Sequence, residues 1–418
     1  MLPTILLGKT TQKLSRLRGN GGSALPGLIV ERTNPDFIKK VLGQLKYGVV
    51  VISGTNGKTT TTKIVAELLE QQGLKVFTNS TGSNFVRGVI SAILQKIKLS
   101  GKFDYDIAIL ELDEAHALKF AQIIPIKYSL LLNVLRDQLD RFGEIDHTAQ
   151  LLSKLAAATQ TTVVINREDR RLVGIKSSAR LSYYGLAPSL RAQFPEDDEL
   201  LNNTPSRASH IKLPKATVTL EKVDQQNATF NINGKKSTVK LSVKGIYNVF
   251  NATAAIALVK QILPKASDDK LLDSLGKIKS AFGRGESLTI NGTTIEIFLV
   301  KNPAGFQLAL KSFVDRKHDF MIAINDEFAD GRDVSWLWNV NFTDLPQVQV
   351  VSGTRAVDMA LRLKYDEVPF STINENLDPA IKLFLKSSVR PKRIFTTYTA
   401  MLHIRKHLNK LTNLEQVL

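Results

Sequence analysis

At 418 residues, 43% of them apolar and 23% charged, the chain has the composition of a folded protein of two or three domains, not of a disordered, collagen-like or coiled-coil chain. A net charge of +17 favours anionic partners such as phosphorylated substrates, nucleic acid or an acidic membrane surface, with a plain solvated basic surface as the competing explanation. The absence of cysteine excludes disulfides, thiolate zinc sites, cysteine-ligated iron–sulfur clusters and a cysteine nucleophile together.

Residues 1–22 read as a basic amphipathic helix stopped by Gly19, Asn20, Gly21 and Gly22. Its apolar patch precedes its charges, the reverse of a signal peptide, so an intracellular protein with a surface-touching first helix is expected. The SALPG stretch at 23–27 reads as a turn, and 36–45 as a helix. A β-branched run at 47–53 reads as a buried strand, followed by a helix at 60–72, a strand at 75–80, a helix at 85–99 and a strand at 105–112. Further strands at 127–133 and 161–166, with a helix at 147–158 between them, imply a parallel sheet covered on both faces. From about 177 to 244 the pattern becomes β-rich, with a polar loop at 187–215, and reads as an inserted or appended piece. Helices return at 248–263 and 268–279, a boundary falls near Phe282–Gly285, and strands and helices alternate again to the end. The expected organisation is a first domain over 1–286 and a smaller α/β domain over 287–418.

The segment Gly54-Thr55-Asn56-Gly57-Lys58-Thr59-Thr60 lies between a predicted buried strand and a predicted helix. Glycines let the backbone turn its N–H groups onto an anion, and the helix N-terminus adds positive partial charge. The lysine suits the β/γ phosphates and the threonine hydroxyl suits Mg²⁺. Ile52 stands where the commoner loop has its first glycine, so this is a shorter variant. Glu111 ends an apolar strand at the carboxyl edge of the sheet, a place suited to a Mg²⁺ ligand.

GTNGKTTT after an apolar strand resembles the Mur ligases and their folylpolyglutamate synthetase relatives. So do Asn133…Asp137-Gln138-Leu139-Asp140, Asn166-Arg167-Glu168-Asp169, Gly245…Asn248…Asn251 and Gly283-Arg284. TNSTGSNFVRG, ELDEA, RDQLDRFGEID, VKNPAGF, NDEFADGRDVSW and TTYTAML narrow the resemblance to the MurT branch, the synthetase subunits of lipid II isoglutaminyl synthase. The resemblance implies a Mur-type central domain with a P-loop, a β-rich insertion and a smaller α/β C-terminal domain. It implies ATP-dependent amidation of the D-glutamate α-carboxylate of the lipid II stem peptide through an acyl phosphate.

On that resemblance Lys58 is the phosphate cation, and Gly54 to Thr60 with Asn251 and Arg284 hold ATP; Thr59 and Glu111 hold Mg²⁺. The competing role for Asn251 is a helix cap, and for Arg284 a linker charge. Asn133 and Asp137 are expected to line the pocket. Of the three aspartates in the 326–336 segment, Asp333 is the first candidate to orient ammonia or to complete a partner's Cys–His pair, and Asp330 the second. A turn built from Asp and Gly competes with that role. Gln138 replaces a family histidine, and Lys154 is off register for the modified lysine of many Mur ligases, so a second Mg²⁺ is in doubt. With no cysteine in the insertion, no zinc is expected.

Ammonia is scarce at neutral pH; for an amidating ligase with glutamine as donor, a chain without a thiol needs a separate glutaminase subunit, and the resemblance implies a GatD-like partner. The alternative enzymatic reading is an amino-acid-adding Mur or folylpolyglutamate-type ligase. A nucleic-acid-binding ATPase would want basic residues interleaved with aromatics, and aromatics are only 7%. The basic surplus instead suits a pyrophosphate-bearing lipid at the inner membrane face.

Overall fold

The computed structural model describes residues 1–17, 24–79, 85–136, 145–194, 213–224, 226–242, 245–278 and 284–410. The helix stop at 19–22, the Asp137–Asp140 motif, Gly283 and most of the loop predicted at 187–215 lie outside the described residues.

Three helices open the chain: α1 (Leu2–Leu17), α2 (Ala24–Thr33) and α3 (Phe37–Leu42). There follow β1 (Gly48–Ser53), α4 (Lys58–Gln71), β2 (Val76–Thr78), α5 (Val86–Lys96), β3 (Ile107–Glu111), α6 (Glu114–Ala121) and β4 (Ile126–Leu131). Next come α7 (Ile145–Ala158), β5 (Thr159–Asn166), α8 (Arg170–Val173), β6 (Arg180–Leu186), β7 (Val218–Asp224), β8 (Asn227–Ile232) and β9 (Lys235–Lys240). The strands form one nine-stranded sheet in the order β2-β3-β1-β4-β5-β6-β7-β8-β9. Every pairing from β2 to β7 is parallel, and only the β7–β8 and β8–β9 pairings are antiparallel, so β8 alone runs against the sheet.

Central β1 explains the layering. Val50 and Ile52 face one apolar cluster, with α4 and the helices α9 (Ile246–Ile262) and α10 (Asp268–Lys277); Val49 and Val51 face the other, with α1 to α3 and α5 to α7. A strand buried on both faces is continuously apolar because helices cover each side.

The second sheet contains β10 (Arg284–Ile290), β11 (Thr293–Leu299), β12 (Asp319–Ala323), β13 (Val348–Ser352), β14 (Phe370–Asn374) and β15 (Lys392–Thr396), in the order β10-β11-β15-β12-β13-β14. Only β10 is antiparallel to its neighbour. Helices α11 (Pro303–Phe313), α12 (Ala356–Tyr365), α13 (Leu377–Lys386) and α14 (Tyr398–Asn409) accompany it.

One expectation is corrected. SALPG is not a turn: Ala24 to Gly27 open α2. Pro26 sits in the first helical turn, where its missing N–H has no intrahelical acceptor to lose. Gly27 lets α2 approach α5, since a Cβ there would lie 1.9 Å from the Arg87 carbonyl oxygen. The β-rich stretch at 177–244 has its predicted strands, and within the first domain β6 to β9 lengthen the first sheet through β5. Helices α6, α13 and α14 and strand β14 are additions that the sequence pattern did not single out.

Candidate active site

The loop between β1 and α4 turns at two glycines with positive φ, Gly54 at 130° and Gly57 at 91°. A Cβ on Gly54 would lie 2.9 Å from the backbone nitrogen and oxygen of Asn133, and one on Gly57 would lie 2.4 Å from Asn251 Oδ1. Glycine is therefore required at Gly54 by close approach to backbone as well as by dihedral angle, and at Gly57 by its dihedral angle.

Asn133, two residues beyond the end of β4, clamps the first half of the loop. Asn133 accepts the Asn56 amide through Oδ1 at 2.9 Å and donates through Nδ2 to the Asn56 carbonyl at 3.0 Å. Its own carbonyl accepts from Thr55 N at 3.0 Å, and Thr55 Oγ1 accepts from Leu135 N at 3.0 Å. Asn56 then reaches the second sheet's side: its Nδ2 donates to Asn302 Oδ1 at 3.2 Å, and Asn302 Nδ2 donates back to Asn56 Oδ1 at 3.0 Å. Asn302 is buried and also caps α11 by accepting from Gly305 N at 2.8 Å.

Lys58 is buried, with Nζ donating to the Gly54 carbonyl at 2.6 Å and lying 3.3 Å from Asp113 Oδ1. Burial alone would raise the Asp113 carboxyl, but Lys58 and Lys301 outweigh it and hold the group below its ordinary value. Thr59 Oγ1 donates to Glu111 Oε1 at 2.8 Å. Asn79 grips the Glu111 backbone from both sides, accepting from its N–H at 2.9 Å and donating to its carbonyl at 2.8 Å. The predicted metal pair is thus brought together, and the amides at the α4 N-terminus lack intrahelical acceptors.

Beside this loop lies a cavity of about 210 Å³, bordered by Asn56, Gly57, Thr60 and Asn251 on one side and by Phe298, Lys301 and Phe313 on the other. Asn251 is inside α9, whose cap is Gly245, so it faces the loop and is not a capping residue. Asp169 closes another wall: it accepts from Val134 N at 2.6 Å and caps α8 through Arg171 N at 2.9 Å. Burial pushes its carboxyl up to about 6. Arg284 begins β10, and its side chain, like Asp137, is outside the described residues.

The two candidate aspartates part company. Asp330 is buried and accepts from Thr399 N at 2.7 Å, from the Thr399 hydroxyl and from Glu327 N at 3.2 Å. Burial raises its carboxyl despite those donors. Asp333 is exposed, and its Oδ1 accepts from Ser335 N at 2.8 Å; the Ser335 side chain first and this N–H second lower its carboxyl. Neither borders the cavity at the phosphate loop. Sequence reasoning missed Asp113, Asn79 and the Asn56–Asn302 pair; ELDEA and the Asn-Pro turn carried the only local signal, an extra acid and an N-cap. Among the described residues no group of three or more His, Cys, Asp or Glu is arranged to hold a metal by itself.

A glycine phosphate loop at the carboxyl edge of a parallel sheet, abutted by a second α/β unit, is the arrangement of a nucleotide-using α/β enzyme. Residues 52–259 match the Mur ligase middle domain model and residues 299–401 the MurT ligase C-terminal model, so the chain belongs to the Mur ligase family. Within that family it falls with the MurT subunits. It is 28% identical to the glutamine-hydrolysing lipid II isoglutaminyl synthase subunit MurT of Streptococcus pneumoniae, over 97% of this chain and 96% of that protein. The MurT subunit of Staphylococcus aureus is also 28% identical, over 89% of each chain. The fold is similar to that of the MurF ligase of Thermotoga maritima in complex with ADP, with a TM-score of 0.68 at 19% identity, covering 91% of this chain and 83% of that one.

Proposed function

We propose that the chain is the synthetase subunit of a lipid II isoglutaminyl synthase, converting the D-glutamate α-carboxylate of the stem peptide to an amide. The observation that carries this reading is the loop at Gly54–Thr60, with Lys58 and the Thr59–Glu111 pair beside the cavity and Asn302 of the MurT-type C-terminal unit bonded to Asn56. In the first step a carboxylate oxygen attacks the γ-phosphorus of ATP, ADP leaves and an acyl phosphate forms. Ammonia then attacks the acyl carbon, phosphate departs, and a proton lost from nitrogen completes the amide.

Lys58 and the α4 N-terminus offset the charge of the transferring group. Asn251 and the aromatic walls hold the nucleoside side of ATP, and Asn133 keeps the loop in shape. Thr59 and Glu111 supply hard oxygen donors, which fits a Mg²⁺ ion that keeps waters and phosphate oxygens for the rest of its shell. Bound there, the ion would neutralise phosphate charge. Arg284 is assigned to the phosphates from the first strand of the second sheet.

The chain has no thiol to release ammonia from glutamine, so a GatD-like glutaminase is the proposed partner. Asp333, exposed and kept ionised by its turn, is the residue suited to face it, and Asp330 shapes the loop that presents Asp333. We place the reaction at the cytoplasmic membrane face, where a lipid-linked substrate is reached.

The test incubates the chain with lipid II, ATP and ammonium chloride, without and with a glutaminase partner. The expected product carries an amino group in place of a hydroxyl, with one phosphate released per product. An adduct with an amino acid instead would establish the amino-acid-adding alternative, and full activity of Lys58→Ala would defeat the mechanism.

A further inference from the structure

The first helix lies on the molecule with one face turned outward. α1 packs inward through Ile5 and Gly8, where a Cβ on Gly8 would come 2.6 Å from Leu94 Cδ2 of α5. Gln12 Nε2 donates to the Ser91 carbonyl at 3.2 Å, and Asn34 Nδ2 donates to Thr4 Oγ1 at 3.1 Å, so the inner side is seated by polar bonds as well. The outer side presents Leu2, Leu6, Leu7 and Leu14, each 43–56% exposed. At 100° per residue these four fall within an arc of roughly 140°. Among the described residues no segment covers that face.

Charge says what fits there. α1 contains no acidic residue; on the same wheel Lys9 lies about 20° outside one edge of the leucine arc and Lys13 about 20° inside that edge. Its start is flanked by a second basic group: the Met1 side chain lies against Gly101, in a loop that exposes Lys98 and Lys102. Of the acids nearby, Asp104 is paired with Lys75 at 3.0 Å, and Glu31 of α2 with Arg87 at 2.7 Å. Exposed leucines bordered by lysines, on a chain of net charge +17, complement a surface that is apolar within and anionic at its rim. A phospholipid interface has that profile, whereas a protein groove would need its own acidic border. No described helix is long and apolar enough to cross a membrane, so the contact lies in the interface plane.

We propose that the leucine face of α1 docks this protein on anionic phospholipid bilayers. The inference rests on the helix alone and requires neither nucleotide nor the ligase reading. Full-length protein is sedimented with vesicles of phosphatidylglycerol and phosphatidylcholine in equal parts, and with phosphatidylcholine alone, in the absence of ATP and lipid II. Binding to the anionic vesicles is expected, weakened by salt. Leu6→Asp or Leu14→Asp should lower the partition coefficient on the order of ten-fold each, and Lys9→Gln with Lys13→Gln roughly five-fold per charge removed. Leu7→Trp gives a second readout, a blue-shifted emission on anionic vesicles at unchanged far-ultraviolet dichroism. Absence of wild-type binding overturns the proposal. So does binding that the leucine variants leave unchanged, which would mean charge attraction alone. A lipid-free dimer dissociated by Leu6→Asp would assign the face to a second copy of the chain and likewise overturn it.

Discussion

The reciprocal amide pair between Asn56 and Asn302 joins the phosphate loop to the second unit, and its strength follows from its geometry. Two neutral hydrogen bonds at 3.2 and 3.0 Å are each worth about 0.5–1.5 kcal/mol net, so their coupling should be about 1–3 kcal/mol. Asn56→Ala removes the pair alone. Asn302→Ala removes the pair and the cap on Gly305 N, which adds about 0.5–2 kcal/mol. Asn302→Asp separates the two effects: a carboxylate keeps the cap but cannot donate to Asn56 Oδ1, and it sets two acceptors against each other. The assay is equilibrium unfolding in urea of the single and double alanine variants. Trp336 and Trp338, the only tryptophans of the chain, report on the second unit. The double variant should lose less than the sum of the singles by the coupling energy. Strictly additive losses would refute the contact, because groups that do not touch do not couple. Asn302→Asp should unfold between wild type and Asn302→Ala while losing ATP-dependent amidation.

Thr59→Val removes the hydroxyl that meets Glu111, and amidation should fall at least about ten-fold with a raised Mg²⁺ requirement while the thermal midpoint stays within a degree or two. The two aspartates should separate by assay. Asp330→Asn should lower stability by about 1–3 kcal/mol because it weakens a buried acceptor of three donors, whereas Asp333→Asn should leave unfolding unchanged and lower glutamine-dependent turnover with the partner. Asp169 supplies a pH signature: its carboxyl is raised from 3.8 to about 6, so the folded chain binds more protons than the unfolded one between those values. Its contribution to stability is full below pH 3.8 and is lost as pH rises through about 6. The difference in unfolding free energy between wild type and Asp169→Asn should therefore change across that window and level off above it.

The central elements were legible because their signals are local. The run Val49-Val50-Val51-Ile52 is apolar at every position, which only a strand covered on both faces requires, and the glycines and Lys58 follow at once. Thr59, from the loop hydroxyl, and Glu111, from its place at the end of an apolar strand, are both legible as metal ligands, and they meet at 2.8 Å. Pro26 misled because a proline breaks a helix interior but is tolerated in a first turn, and the sequence does not mark where α2 begins. The alternation in β7 to β9 announces strands but not the sheet that receives them; that choice depends on β6 pairing with β5. The clamp of Asn133 on Asn56 spans 77 residues, and the Asn56–Asn302 pair spans 246, so no local pattern encodes either. Asp113 carries the same limit: an acid two residues after Glu111 reads as a solvated loop charge until the fold brings Lys58 to it.

That carboxylate has a consequence for selectivity. A lysine whose charge is already matched by an internal acid gains little from chloride or any other singly charged ion, since exchanging one counter-charge for another leaves the balance where it stood. Only a ligand bringing several negative charges at once can draw Lys58 from Asp113 and still profit from the exchange. On the proposed reading of Lys58 as the phosphate cation, the loop would discriminate by valence as well as by shape, favouring triphosphates over the monovalent salt that surrounds them.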